Sequence, residues 1–234
     1  MRAYNVGLAN FTQHMHSLPL TIHPKLPNTE QLADEIATRG FIVVDNFLSA
    51  ACIAELAREA KRLATEGLMH KATTGQSTIS SANATNNKLR GDSVYWLDTN
   101  EPNPHLQTYL GATQAIQNAL NQYLFLGLFE LESHFAIYPI GSRYHKHVDQ
   151  FMHDKSRKVS SVLYLNEAWH INDGGELRMY LDKAESANFI DILPQAGRLV
   201  LFLSERFPHE VLPAKRERIS ITGWFRTRGT SLPI

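Results

Sequence analysis

Apolar residues recur at two different periods along this chain, and the period changes near residue 127. Upstream, Leu32, Ala33 and Ile36 fall on one stripe of a helix. Asn28 or Thr29 would cap it, because a short polar side chain there accepts from the free backbone N–H groups of the first turn. Gly40 stops that helix, and FIVVDNF over 41–47 reads as a short β-branched strand. From Ser49 to about Gly67, Ile53, Leu56, Ala57, Ala60, Leu63 and Ala64 repeat at helical spacing, and a second long helical pattern runs from about His105 to Leu126. Downstream the character changes to short strands between turns: FELESHFAIYPI, KVSSVLYLN, GELRMYL, FIDILP, GRLVLFL, HEVLP and RISITGWF. Helices confined to the first half and strands to the second predict a mainly β chain with supporting helices (α+β). Its core would be an antiparallel sandwich or jelly roll, the double-stranded, cupin-like β-helix, whose narrowing interior can hold a metal between two sheets.

The ends of the chain fit one domain. Residues 1–27, with prolines at 19, 24 and 27, read as an irregular lead-in, and 229–234 as a short tail. Between them, 28–126 would supply helical support and a polar loop, and 127–228 the jelly roll. The stretch KATTGQSTISSANATNNKL over 71–89 has too little apolar surface to pack on its own, and reads either as a solvated loop or as a mobile lid beside a site.

Composition narrows the function classes. The 234 residues are 43% hydrophobic and 20% charged, as in an ordinary globular protein, and no apolar run approaches the length of a membrane span. Lys plus Arg equals Asp plus Glu at 23 each, so the overall field gives no reason to expect nucleic acid or an anionic membrane as partner. Cys52 is the only cysteine, which excludes an internal disulfide and fits a reducing compartment. The first twenty residues lack the apolar core of a secretory signal, so a cytoplasmic location is the default expectation.

The candidate chemistry lies in YHKHVDQF. On a strand, residues two apart share a face, so His147 and Asp149 project together. His209, in FPHEVLP, can complete a set of two imidazoles and one carboxylate, which occupies one triangular face of octahedral iron(II) and leaves the other open. Nine residues on, RISITGWF places Arg218, Ser220, Thr222 and Trp224 on one face and Ile219, Ile221 and Phe225 on the other. Arg218 therefore points where polar groups are wanted, as a permanent cation suited to the carboxylate of a cosubstrate. Lys215 and Arg216, nearer the turn, suit solvent. The order of these groups suggests an oxygenase requiring iron and 2-oxoglutarate. His145 shares the parity of His147, but 150–153 read QFMH where a cupin would place a glutamate ligand, so His145 is given a supporting or solvent role. His134, His153 and His170 are expected to be structural or exposed.

Several motifs occur in order: RGDSVYW, YPIGSRYHKHVD, SRKVSSVLYLN, GGELRMY and FPHEVLPAKRERISITGWF. On these the chain resembles the iron(II)- and 2-oxoglutarate-dependent prolyl 4-hydroxylases, in the branch that holds animal oxygen-sensing enzymes and their bacterial relatives. The likeness runs from about Arg90 to Arg228. It implies that His147, Asp149 and His209 bind iron and that Arg218 pairs with the distal carboxylate of 2-oxoglutarate. It also implies that Tyr164 donates to that carboxylate, that Tyr138 lines the cosubstrate pocket and that Trp224 walls the site. Arg90, Asp92 and Trp96 match a segment approaching the peptide substrate, with Asp92 paired to Arg157. The stretch from Tyr138 to His147 is one residue shorter than in the animal enzymes.

By the same resemblance the cofactor set is Fe(II), 2-oxoglutarate and dioxygen, with ascorbate as a supporting reductant and succinate and CO2 as products. The partner is a protein or peptide containing proline, elongation factor Tu being the bacterial example. Two other readings of the residues remain: a 2-oxoglutarate oxygenase acting on a different residue or a small molecule, and a non-catalytic metal-binding jelly-roll module.

Overall fold

A computed structural model of the chain describes residues 20–72, 90–100, 102–150, 154–182 and 188–228. Helix α1 spans Thr29–Arg39. It starts where the Asn28 side chain accepts from the Gln31 N–H at 2.9 Å and ends at Gly40, whose φ of 82° is a left-handed C-cap that favours glycine. Helix α2 spans Ala50–Thr65, with the Ser49 hydroxyl accepting from Cys52 N–H, and α3 spans Pro104–Leu124, capped by Asn103. The expected stripes are buried, except that Ala57 is only half-buried and Ala64 is exposed.

Twelve strands form two sheets among the described residues. In chain order they are β1 (Ile22–His23), β2 (Phe41–Val44), β3 (His70–Lys71), β4 (Ser93–Trp96), β5 (Leu128–Tyr138), β6 (Tyr144–His147), β7 (Arg157–Tyr164), β8 (Leu177–Tyr180), β9 (Phe189–Ile192), β10 (Leu199–Leu203), β11 (His209–Val211) and β12 (Arg218–Thr227). The major sheet has the order β1-β2-β10-β7-β12-β5-β4-β3 and the minor sheet β6-β11-β8-β9. Pairing is antiparallel except for β1 on β2. This is the expected jelly roll with helices on one side.

Residue alternation divides the major sheet into two faces. Ile219, Ile221 and Phe225 of β12 join Phe135 and Ile137 of β5, Leu163 of β7 and the helix stripes in one core. Phe135, Ile221 and Phe225 are fully buried, and burial of each stabilises the fold by roughly 1.5–3 kcal/mol. The other face turns toward the minor sheet, where Val162, Val200 and Phe202 pack on Leu177, Met179 and Ile192.

Three strands fall outside the pattern expected from the sequence, among them the two-residue β3 (His70–Lys71), which pairs with β4. Ile22–His23 pairs with β2 inside the segment read as irregular, because backbone ladder bonds serve even a two-residue stretch beside Val43 and Val44. Ser93–Trp96 extends the major sheet beyond β5, and four residues are too short to declare a period. The loop or lid read over 71–89 lies, from residue 73 on, outside the described residues, as do residues 1–19, the tail over 229–234 and His153.

Candidate metal and cosubstrate site

The inner face of the major sheet assembles the site row by row. On β12, Arg218 lies opposite Tyr138 of β5, Ser220 lies between Ala136 and Tyr164, Thr222 between His134 and Val162, and Trp224 between Glu132 and Ser160. The last three rows cross three adjacent strands, so residues as far apart in sequence as Glu132 and Trp224 become cross-strand neighbours. Facing them, His209 of β11 pairs directly with His147 of β6 in the minor sheet. Asp149 lies two residues beyond the end of β6, in a bend rather than on the strand itself.

The three expected ligands converge. One donor atom from each of His147, Asp149 and His209 lies within 4.8 Å of the others. The His147 Nε2 is 3.4 Å from Asp149 Oδ1, and the His209 Nε2 is 3.6 Å from Asp149 Oδ2. Each imidazole is oriented from behind by a backbone carbonyl two residues earlier: His147 Nδ1 meets the His145 carbonyl at 2.8 Å and His209 Nδ1 meets the Phe207 carbonyl at 3.0 Å. A carbonyl can only accept, so Nδ1 carries the hydrogen in both rings and Nε2 presents its lone pair to the centre. His145 thus contributes through its main chain. The rings are also packed: Tyr144 stacks on His147 at 3.7 Å and Phe202 meets His209 edge-on at 4.9 Å.

The protonation states suit a cation. Burial would raise the Asp149 carboxyl, but His209, His147 and the Ser160 hydroxyl overcome that and hold it well below the usual carboxylate range. His209 is lowered to about 4, chiefly by burial, with Asp149 opposing and His147 adding to the shift. One anion and the neutral His209 nitrogen therefore face one another near neutral pH, and two imidazoles with one carboxylate are a donor set that fits iron(II).

Arg218 is 2% exposed, and among the described residues no carboxylate pairs with it. Its Nε donates to the Gly175 carbonyl at 2.9 Å, and its guanidinium lies over the rings of Tyr164 (4.9 Å) and Tyr138 (5.2 Å). Gly175 has φ of 74°, and a Cβ there would come within 2.8 Å of the Ala214 Cβ, so this close carbonyl approach needs glycine. The buried Tyr164 hydroxyl and Trp224 Nε1 have no hydrogen-bond partner among the described residues. An uncompensated buried cation with the idle Tyr164 hydroxyl group's ring against it is costly unless an anionic acceptor arrives. Arg218, Tyr138, Trp224 and the three ligands line one partly open pocket, and a small dicarboxylate such as 2-oxoglutarate would answer the buried cation at its wall.

The substrate segment departs from expectation at one pair. Asp92 was expected to pair with Arg157, but it accepts both prongs of Arg90 instead, at 2.6 and 2.7 Å. Only Gly91 separates the two residues, and the bidentate fork is satisfied locally. Arg157 reaches Glu132 at 3.4 Å and lies 3.6 Å over the Trp224 ring. Trp96, half exposed, leans on His134 at 4.6 Å and borders Trp224 at 6.3 Å. Lys215 and Arg216 are exposed, with Arg216 reaching Asp173, and His170 is exposed at the start of a short 3-10 turn.

His134 is structural, as expected, but its environment has a measurable consequence. Burial, with Arg90 and Arg157 beside it, lowers its pKa to about 3 from an ordinary 6.5. Between those values the unfolded chain binds a proton that the folded one does not. The stability this neutral histidine supports is therefore complete above pH 6.5 and is lost as pH falls toward 3. His209 acts in the same direction in the metal-free protein. His134→Leu is expected to flatten the acid side of the stability profile by up to about 1.4 kcal/mol per pH unit between about pH 6 and 4. Urea unfolding of both proteins at several pH values measures it, and parallel profiles would contradict the assignment.

Sequence reasoning missed Tyr144 and Ser160. Ser160 donates to Asp149 Oδ2 at 2.6 Å, a contact that depends on sheet packing, for which the local sequence carries no signal; Tyr144 stacks on His147 from the same short strand.

Comparison with known proteins agrees with this geometry. Residues 133–226 match the model of the 2OG-Fe(II) oxygenase superfamily. A hypoxia-inducible factor prolyl hydroxylase of Caenorhabditis elegans is 30% identical over 95% of this chain, and human prolyl hydroxylase EGLN3 is 31% identical over 80% of this chain and 78% of its own length. The chain spans about a third (32%) of the nematode protein and 43% to 55% of the mammalian Egl nine homolog 1 proteins. The crystal structure of a Pseudomonas putida prolyl-4-hydroxylase is 44% identical, with a TM-score of 0.75, covering 86% of this chain and 100% of that one. With its jelly roll, its convergent His-Asp-His set and its similarity over the greater part of its length, this chain belongs to the prolyl hydroxylases of the 2OG-Fe(II) oxygenase superfamily.

Proposed function

We propose that this protein hydroxylates a prolyl residue in a cytosolic protein, using iron(II), 2-oxoglutarate and dioxygen and releasing succinate and CO2. The carrying observation is the buried Arg218, with no carboxylate partner among the described residues, in the same pocket as the convergent ligand set. When bound, iron with 2-oxoglutarate and dioxygen supplies the oxidation that places a hydroxyl on the prolyl carbon.

The chain's own residues do the rest. His147, Asp149 and His209 would hold the iron, their Nε2 lone pairs and carboxylate already turned inward. Arg218 provides charge and Tyr164 a hydroxyl for the distal carboxylate of 2-oxoglutarate, while Tyr138 lines the pocket and Trp224 walls it. In this reading the Arg90–Asp92 fork, Trp96 and Arg157 border the approach of the peptide, and the exposed half of the Trp96 indole offers a flat face to it. The cytosolic setting rests on a single, buried, unpaired cysteine, which fits a reducing compartment. Among the described residues no helix is long and apolar enough to cross a membrane.

Elongation factor Tu is the candidate substrate that the resemblance to bacterial members implies. Purified protein with iron, 2-oxoglutarate and ascorbate is expected to add one oxygen to a proline of a cytosolic target, elongation factor Tu first, with stoichiometric succinate. Mass spectrometry of the product reads both the mass gain and its position. Succinate release coupled to another residue or a small molecule, with proline unmodified, would overturn the prolyl assignment.

A further inference from the structure

The catalytic carboxylate is held from the opposite sheet. Ser160 of β7 and Ser204, just past β10, are both fully buried, an expensive position for a hydroxyl unless it is bonded. Ser160 Oγ lies 2.6 Å from Asp149 Oδ2 and 2.9 Å from Ser204 Oγ. The direction of this chain follows from chemistry. An ionised carboxylate only accepts, so Ser160 donates to Asp149; its single proton being used, it must accept from Ser204. Donation from Ser204 polarises Ser160 and strengthens the bond to the carboxylate. Ser204 is itself anchored, its N–H donating to the Lys158 carbonyl at 3.0 Å.

The contact breaks a near-symmetry. Asp149 Oδ1 is 3.4 Å from the nitrogen of one imidazole and Oδ2 is 3.6 Å from that of the other, so the imidazoles alone give the carboxylate little reason to present one oxygen rather than both. Asp149 also lies beyond the last residue of β6, where ladder bonds no longer orient it. A charge-assisted hydrogen bond to one oxygen selects the other for a metal.

Taking His147, Asp149 and His209 as metal ligands, we propose that Ser160, oriented by Ser204, is a positioning residue that holds Asp149 Oδ2 and makes the carboxylate a one-oxygen ligand. Its consequence is coordination number: a carboxylate free to bind through both oxygens would occupy a position that cosubstrate and dioxygen need.

The test uses Co(II) binding to the whole purified chain, read by titration and by the d–d absorption spectrum, without turnover. Ser160→Ala is expected to bind Co(II) about tenfold or more weakly, the scale on which residues behind a ligand act, with a changed spectrum. Ser160→Thr and Ser160→Val are equal in shape and differ in the hydroxyl; Thr is expected to retain the wild-type spectrum and Val to match Ala. This pair decides the matter should Ala impair folding. Ser204→Ala is expected to move affinity in the same direction by a smaller factor. If Ser160→Ala and Ser160→Val keep wild-type affinity and spectrum while Asp149→Ala loses Co(II), the positioning role is overturned and the metal site stands. If Asp149→Ala binds like wild type, the metal site itself is wrong and the positioning role falls with it.

Discussion

Asp149→Ala is expected to abolish succinate formation, on the scale of the roughly 10^4-fold or larger losses that follow deletion of one member of a catalytic unit. The reason is that Asp149 supplies the only negative charge among the three converging groups and is 8% exposed, beyond easy replacement by solvent. Without it, two neutral imidazoles remain to compete with water for the cation, and the set no longer closes one face of an octahedron. The fold should survive. The substitution leaves the Ser160 hydroxyl unpaired on one side, a cost of about 1–3 kcal/mol, while removing a carboxylate that burial disfavours. Thermal unfolding and a coupled succinate assay separate the two effects. Retained turnover in the folded variant would refute the ligand set.

Arg218→Ala is expected to raise the 2-oxoglutarate KM at least tenfold, equivalent to about 1.4 kcal/mol or more of binding. Arg218 is buried between two tyrosine rings with its Nε spent on Gly175, so the rest of the guanidinium is available to a ligand carboxylate. On the proposed reading, its loss would leave Tyr164 as the remaining donor to the distal carboxylate. Arg218→Lys should recover only part of the effect, because an ammonium keeps the charge but not the planar fork. Stability is expected to change little: deletion removes an uncompensated buried cation as well as its packing. An unchanged KM for 2-oxoglutarate, measured by succinate release at saturating peptide, would remove Arg218 from the site.

Much of this was legible before any fold was known. The alternation in RISITGWF assigned Arg218, Thr222 and Trp224 to the site face and Ile219, Ile221 and Phe225 to the helix-backed core, and both faces are as expected. A strand's two-residue period is set by backbone pleating, so a ten-residue strand states its faces locally. The first helix cap was legible to within one residue, Asn28 or Thr29, for the same reason: the hydrogen bond that makes a cap spans three residues, and the structure uses Asn28. By contrast, Asp92 was assigned to Arg157 through family likeness, and the structure pairs it with Arg90, two residues away. Short strands such as Ser93–Trp96 were missed because four residues carry no resolvable period.

What the sequence by itself determined, then, is which residue types stand at which face: two imidazoles and a carboxylate in strand-like spacing, and a cation on a polar strand face. Only the tertiary structure decided their meeting. His209 reaches His147 through the β11–β6 pairing across 61 intervening residues, and Asp149 meets Ser160 across two separate sheets. The physical reason is that side-chain period is a local property of the backbone, whereas register and sheet packing are chosen by the burial of the whole inner and outer cores together.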